Sequence, residues 1–150
     1  MKAIVYNGVK DVDVENVEDP KIQQDDDIIV KVTSTDICGS DLHLIHGMIP
    51  NMPKGFTLGN ETMGIVEEVG PEVKNLKKND RVIVPFPVAC GHCWQCMHEN
   101  YSQCNNSNEY GEIGGILGYS NTFGGYQGGQ AEYLRVPYAN VGPRVVPEEL

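Results

Sequence analysis

The sequence predicts a mainly β domain, a barrel or sandwich with one or two short helices and a small cysteine-rich lobe. Three observations carry this. Short β-branched stretches with a two-residue period recur along the 150 residues. The 17 glycines and 9 prolines supply turn signals between many of these stretches, the pattern of an all-β architecture. Four of the five cysteines cluster between positions 90 and 104, which sets that stretch apart as a small lobe. The length suffices for one domain with a core of its own.

Taken in order, Lys2 to Tyr6 reads as a strand. Val12 and Val14 alternate with Asp11, Asp13 and Glu15, which predicts a half-buried strand. Pro20 closes that region, and Gln23 to Asp27 reads as a solvated acidic turn. Ile28 to Ile37 is a longer β-branched strand that delivers Cys38 at its end. Gly39 breaks the strand. Ser40-Asp41-Leu42-His43 then opens a short helix that Ser40 or Asp41 can cap. Gly47 to Gly59, with Pro50, Pro53 and Gly55, reads as a loop of the kind that lines substrate pockets. Glu61 to Gly70 is the next strand, and Gly59, Gly64 and Gly70 permit tight turns or close backbone approach. Lys77 to Asp80 is a turn. Arg81 to Val84 is a strand stopped by Pro85 and Pro87. Beyond the cysteines, Asn105 to Gly129 is rich in Gly, Asn, Ser and Tyr and reads as a long functional loop without a core element. Gln130 to Val136 and Val141 to Val146 are the last strands. Neither an internal repeat nor a low-complexity segment interrupts this series.

The net charge of −10, from 11 basic and 21 acidic residues, argues against a nucleic-acid surface, because phosphate binding needs clustered Lys and Arg. Met1 to Gly8 is no signal peptide, and no window approaches a membrane span. The cysteine usage suits a reducing compartment, so a soluble, cytoplasmic protein is expected. No G-x-G-x-x-G follows a strand and opens a helix. The glycines of Gly124 to Gly129 have the wrong spacing and lead into a strand.

Cys90, Cys93, Cys96 and Cys104 stand at C-x2-C-x2-C-x7-C. Four thiolates so spaced can surround one tetrahedral zinc, at Zn–S distances of about 2.3 Å, as a closed structural site. Disulfides are the weaker reading, since cysteines this close would form small strained loops. Cys38 is the odd thiol. It lies between a strand end and a helix start, where backbone N–H groups stabilise a thiolate. The plainer alternative is a buried apolar cysteine.

Several stretches together resemble the zinc-dependent medium-chain alcohol dehydrogenases. They are Cys38-Gly39-Ser40-Asp41-Leu42-His43, then Leu58-Gly59-Asn60-Glu61 leading to Gly64-Ile65-Val66 and Val69-Gly70, Asp80-Arg81-Val82, and the four-cysteine lobe. Val84-Pro85-Phe86 and Gly128-Gly129-Gln130-Ala131-Glu132-Tyr133 resemble the formaldehyde-dehydrogenase-like branch most. The resemblance implies that residues 1–150 form a GroES-like β-barrel catalytic domain with its structural zinc lobe at about 90–104. It also implies that the Rossmann cofactor domain, and a segment returning from it, lie outside this chain. The expected activity is oxidation of a small alcohol to an aldehyde or ketone by hydride transfer to NAD or NADP, in a homo-oligomer. The fragment alone is expected to be inactive.

Within the resemblance, Cys38 becomes the first ligand of a second, catalytic zinc. The second ligand of the family is a histidine, and this chain has Asn60 in its place. An amide oxygen is a poor zinc donor. Either Glu61 supplies the donor or it is a supporting carboxylate, and the third family ligand would lie beyond Leu150. Low occupancy of that site is therefore expected. The resemblance gives the Ser40 hydroxyl a hydrogen bond to the substrate oxygen, against the alternative of a helix cap. It gives His43, one helical turn on, the passage of the alcohol proton to solvent, a task to which an imidazole is suited; the alternative is a surface histidine. Asp41 resembles the carboxylate that orients the ligand at position 60. His46, His92 and His98 carry no motif, and His92 and His98 are expected on the lobe surface. The other reading of the whole is a non-catalytic zinc-stabilised β-module for protein interaction.

Overall fold

The computed structural model describes residues 1–150 apart from Asn51, Glu112, Glu148 and Leu150. In chain order its elements are β1 (Lys2–Gly8), β2 (Asp11–Asn16), β3 (Ile28–Thr35), helix α1 (Gly39–Ile45), β4 (Phe56–Thr57), β5 (Thr62–Val69), β6 (Arg81–Val84), β7 (Pro87–Val88), helix α2 (Trp94–Met97), β8 (Gly115–Ile116), β9 (Tyr133–Val136) and β10 (Arg144–Val145). Single 3₁₀ turns cover Tyr101–Gln103 and Asn121–Phe123.

Three antiparallel sheets result. The largest runs β10-β6-β5-β3-β9, a second runs β2-β1-β4, and β7 pairs with β8. The β-branched run of β3 sits between β5 and β9 and pairs with both, Ile28 opposite Val69 on one side and Val136 on the other. This central place explains why Ile28, Ile29 and Val30 are all buried. Ile28, Val30, Val66, Val82, Val84 and Leu134 form the main core, and Leu117 joins them from the segment after the lobe. A second cluster, Tyr6, Leu44, Phe56 and Leu58, fixes α1 against the small sheet. The two sheets are joined where β1 meets the segment leading into β9: Ile4 N–H donates to Gln130 O (2.8 Å) and Glu132 N–H to Lys2 O (3.0 Å).

The mainly β expectation holds, and several local expectations do not. The stretch around Val12 and Val14 is a strand but not a half-buried one: β2 is exposed at every position, Val14 at 62%. Among the described residues it pairs with β1 alone, as an edge strand, and its acidic side chains suit an edge left to solvent. The acidic turn before β3 is not wholly solvated. Asp27 is fully buried and takes two hydrogen bonds from Arg135 of β9, Nε to Oδ2 at 2.6 Å and Nη2 to Oδ1 at 3.2 Å. The Gln23 and Gln24 N–H groups complete its shell, each at 2.9 Å. Burial of a carboxylate is tolerable only with such partners. The 47–59 loop contains β4 and the buried side chains of Phe56, Thr57 and Leu58. The Arg81–Val84 strand does end before Pro85, as expected; Pro87 then opens a separate strand, β7, at a sheet edge where its missing N–H costs nothing.

The glycine-rich 105–129 segment is also more than a loop. It contributes β8 and the buried Leu117. Its polar residues replace a ladder: Gly115 N–H donates to Ser107 Oγ (2.8 Å), Asn108 Nδ2 donates to Ile113 O (2.8 Å) and Thr122 O (3.1 Å), and Tyr126 OH donates to Ser107 O (2.9 Å). Backbone groups satisfied in this way can be buried without long strands.

Candidate metal centres

The lobe is built by short-range hydrogen bonding. Gly91 turns the chain with φ of +81°, and Cys93 caps α2, its sulfur accepting from Cys96 N–H at 3.5 Å. Cys93 N–H donates to Cys90 Sγ (3.4 Å) and Cys90 N–H donates to Cys104 Sγ (3.3 Å). The four sulfurs lie within 4.8 Å of one another, Cys90 to Cys96 at 4.0 Å and Cys93 to Cys104 at 3.9 Å. Sulfurs about 2.3 Å from a tetrahedral centre stand about 3.8 Å apart. The donor set therefore fits one ion, and separations near 4 Å leave no disulfide among them; all five cysteines are free thiols.

Electrostatics point the same way. Burial, reinforced by Cys93 and Cys104, pushes the Cys96 thiol up to about 12. At Cys93 burial also raises the pKa, but the Cys96 and Asn105 N–H groups outweigh it and bring the thiol down to about 6. Four thiols so close cannot all ionise on their own; a divalent cation at their centre removes that repulsion.

The second centre is the junction of β3 and α1. The sequence reading offered Ser40 or Asp41 as the helix cap. Instead Cys38 is the cap: its sulfur accepts from Ser40 N–H at 3.3 Å, and Asp41, at the third helical position, accepts from Cys38 N–H at 3.0 Å. The Cys38 thiol donates to Asn60 Oδ1 at 3.3 Å. Cys38 and Asn60 thus meet, as the sequence suggested. Glu61 beside them is exposed, and its carbonyl accepts from Thr35 Oγ1 (2.9 Å) and Asp36 N–H (3.3 Å). Ser40 is half-buried beside the thiol, and His43 is exposed one turn on. Asp41 is buried, with Oδ2 accepting from Cys38 N–H at 3.0 Å and Gln130 Nε2 at 3.1 Å. Burial raises its pKa, against the pull of the Cys38 N–H, the Gln130 amide and the Gly59 N–H.

Gln130 was missed in the sequence as part of this corner. Two glycines bring it there. Gly59 has φ of +102°, and a Cβ on it would lie 2.6 Å from Gln130 N; one on Gly129 would lie 1.8 Å from Thr62 Oγ1. The Gly128–Gly129 end of the glycine run is therefore in close backbone contact with Leu58–Gly59. His92 and His98 are on the lobe surface as expected. His98 stacks on Trp94 with ring centroids 4.1 Å apart.

Tested against a second metal, the corner is incomplete. It offers a thiol and an amide oxygen, a weak donor. Among the described residues, the four lobe cysteines are the one group of three or more His, Cys, Asp or Glu side chains whose ligand atoms converge. The donors present do not complete a three-ligand cradle.

A β domain with a four-thiol lobe and a cysteine capping a helix beside its sheet defines a class, the GroES-like domain of zinc-type dehydrogenases. Residues 24–148 match the model of the alcohol dehydrogenase GroES-like domain, and the chain belongs to that family. It is 60% identical over 148 residues to the uncharacterized zinc-type alcohol dehydrogenase-like protein AdhB of Bacillus subtilis, covering 99% of this chain and 39% of the relative. It is 43% identical to the glutathione-independent formaldehyde dehydrogenase of Pseudomonas aeruginosa, covering 93% of this chain and 36% of that protein. Among solved structures, alcohol dehydrogenase TADH from Thermus sp. ATN1 superposes with a TM-score of 0.91 at 43% identity, over 100% of this chain and 41% of that one. The chain spans about two fifths of the length of these relatives. Among the described residues, no helix is long and apolar enough to cross a membrane.

Proposed function

We propose that residues 1–150 are the GroES-like catalytic domain of a zinc-dependent NAD(P) alcohol or formaldehyde dehydrogenase, with a structural zinc held by Cys90, Cys93, Cys96 and Cys104. The observation that carries this reading is the convergence of those four sulfurs within a chain that matches the family over residues 24–148. The similarity to zinc-type alcohol and formaldehyde dehydrogenases supports a small alcohol or aldehyde as substrate. A nicotinamide held outside this chain supplies the hydride acceptor. In this proposal the Ser40 hydroxyl hydrogen-bonds the substrate oxygen, and the exposed His43 carries its proton to solvent. Asp41 and Gln130 hold the β3–α1 junction in place around Cys38. Five free thiols suit the cytoplasm.

One observation favours a second reading. With Asn60 at its centre the β3–α1 corner lacks a complete donor set, which suits a zinc-stabilised module without catalysis. Assaying NAD(P)H formation from primary alcohols and formaldehyde separates the two. The protein carrying its cofactor domain is expected to reduce NAD(P), and residues 1–150 alone are not. A longer protein that neither binds NAD(P)H nor oxidises an alcohol sinks the enzyme reading and leaves the module.

A further inference from the structure

Outside the four ligands, the Asn106 side chain reaches a lobe sulfur while being held by a second polar side chain. Asn106 Nδ2 donates to Cys90 Sγ at 3.3 Å and lies 3.2 Å from His92 Nε2. His92 Nδ1 lies 3.0 Å from Cys90 O. The three residues close a ring around one corner of the sulfur cluster, and Tyr138 OH donates to Asn106 O at 3.4 Å from the barrel side.

With a neutral imidazole, the contacts of the ring assign its protons. A carbonyl oxygen only accepts, so Nδ1 of His92 must carry hydrogen. In the neutral ring Nε2 is then an acceptor and must face a donor. A metal-bound thiolate also needs donors. Both demands are met by the two hydrogens of the Asn106 amide nitrogen. The reversed amide would set its oxygen against both the sulfur and the acceptor nitrogen. Most other donors to these sulfurs are backbone N–H groups of the lobe, such as Cys93 N–H on Cys90 and Cys96 N–H on Cys93. Those persist whatever the side chains are. Asn106 is a donor that a substitution can remove.

We infer that Asn106, held in orientation by His92, is a positioning residue for the lobe metal: its amide neutralises part of the Cys90 thiolate charge and slows release of the ion from that corner. The role rests on the lobe holding zinc, as proposed above. Outer hydrogen bonds of this kind are worth about 10- to 100-fold in metal affinity elsewhere.

The test follows zinc transfer from the loaded chain to excess 4-(2-pyridylazo)resorcinol. Asn106→Leu is expected to speed release by about tenfold. Asn106→Asp, which sets a carboxylate against the thiolates, speeds it more, and His92→Phe less. Asn100→Leu serves as the control. Its amide lies in the same lobe but donates to Gln95 Oε1 (3.3 Å), and release is expected at the wild-type rate. In cobalt-loaded protein, Asn106→Leu is expected to move the sulfur-to-cobalt charge-transfer band to lower energy, a change that loss of fold stability alone does not produce. Wild-type release rates and an unmoved band in Asn106→Leu overturn the inference. Should that variant not fold, His92→Phe decides, because its ring is exposed; a wild-type rate there overturns it equally. Wild-type protein purified without zinc, and taking up none, refutes the lobe reading itself, which the stoichiometry of the same samples reports separately.

Discussion

The two cysteine centres of this chain differ in where their parts come from. The lobe draws all four donors from positions 90 to 104, and neighbouring N–H groups aim the sulfurs at one point. The β3–α1 corner is assembled from afar: Cys38 meets Asn60 across 22 positions, and Asp41 meets Gln130 across 89. The lobe thus stands or falls as a local unit. The corner depends on the barrel to bring its elements together, and a single residue, Asn60, decides whether it can hold an ion. Closed local cradles tolerate change elsewhere in the molecule; open ones built from distant strands do not.

The largest effect should come from emptying the lobe. Zinc in small four-ligand sites contributes an apparent free energy of about 10–16 kcal/mol, which is folding energy for the residues around it. Chelation, or Cys104→Ser, should therefore open 90–104 to protease while the β3-centred sheet persists, since its core of Ile28, Val30 and Val66 is a separate cluster. Limited proteolysis read by mass spectrometry checks this. Equal resistance of the lobe with and without metal would end the contrast. A smaller effect is expected from Asn60→His. With Cys38 and Glu61 it offers a three-donor set of the kind a catalytic zinc requires. Zinc content measured by plasma mass spectrometry should rise from a single ion per chain towards a second. Wild-type protein that already holds a second ion would show that the corner is complete after all.

The lobe was legible in the sequence because its geometry is local: spacing alone determines how four sulfurs within one short stretch can turn inward. Cys38 was legible as the end of a β-branched run, and Asn60 as its partner only through the family resemblance. Hidden from the sequence were the groups that act across distance. Asp27 reads as one more acidic residue until Arg135 is brought to it by the pairing of β9 with β3. Gln130 reads as a strand residue until the glycine contact at Gly59 carries it to Asp41. Asn106 and His92 have no motif, because their meeting depends on the chain returning past Cys104. The 105–129 segment lacks a hydrophobic period, yet side-chain hydrogen bonds let it enter the core, a route that periodicity cannot register.

The smallest expected effect separates the two roles open to Cys38. As a helix cap its sulfur accepts from the backbone N–H groups of Ser40 and Asp41. Serine is a good cap and alanine a poor one, so Cys38→Ala should cost about 1 kcal/mol and Cys38→Ser less, read as shifts of the urea midpoint. Because the lobe ligands are independent of this junction, zinc content should stay at the wild-type level in both variants. A loss of bound zinc in Cys38→Ala that Cys104→Ser does not explain would mean that Cys38 is already a ligand. The corner would then be a working metal centre despite Asn60, and its difference from the lobe would be one of affinity, not of completeness.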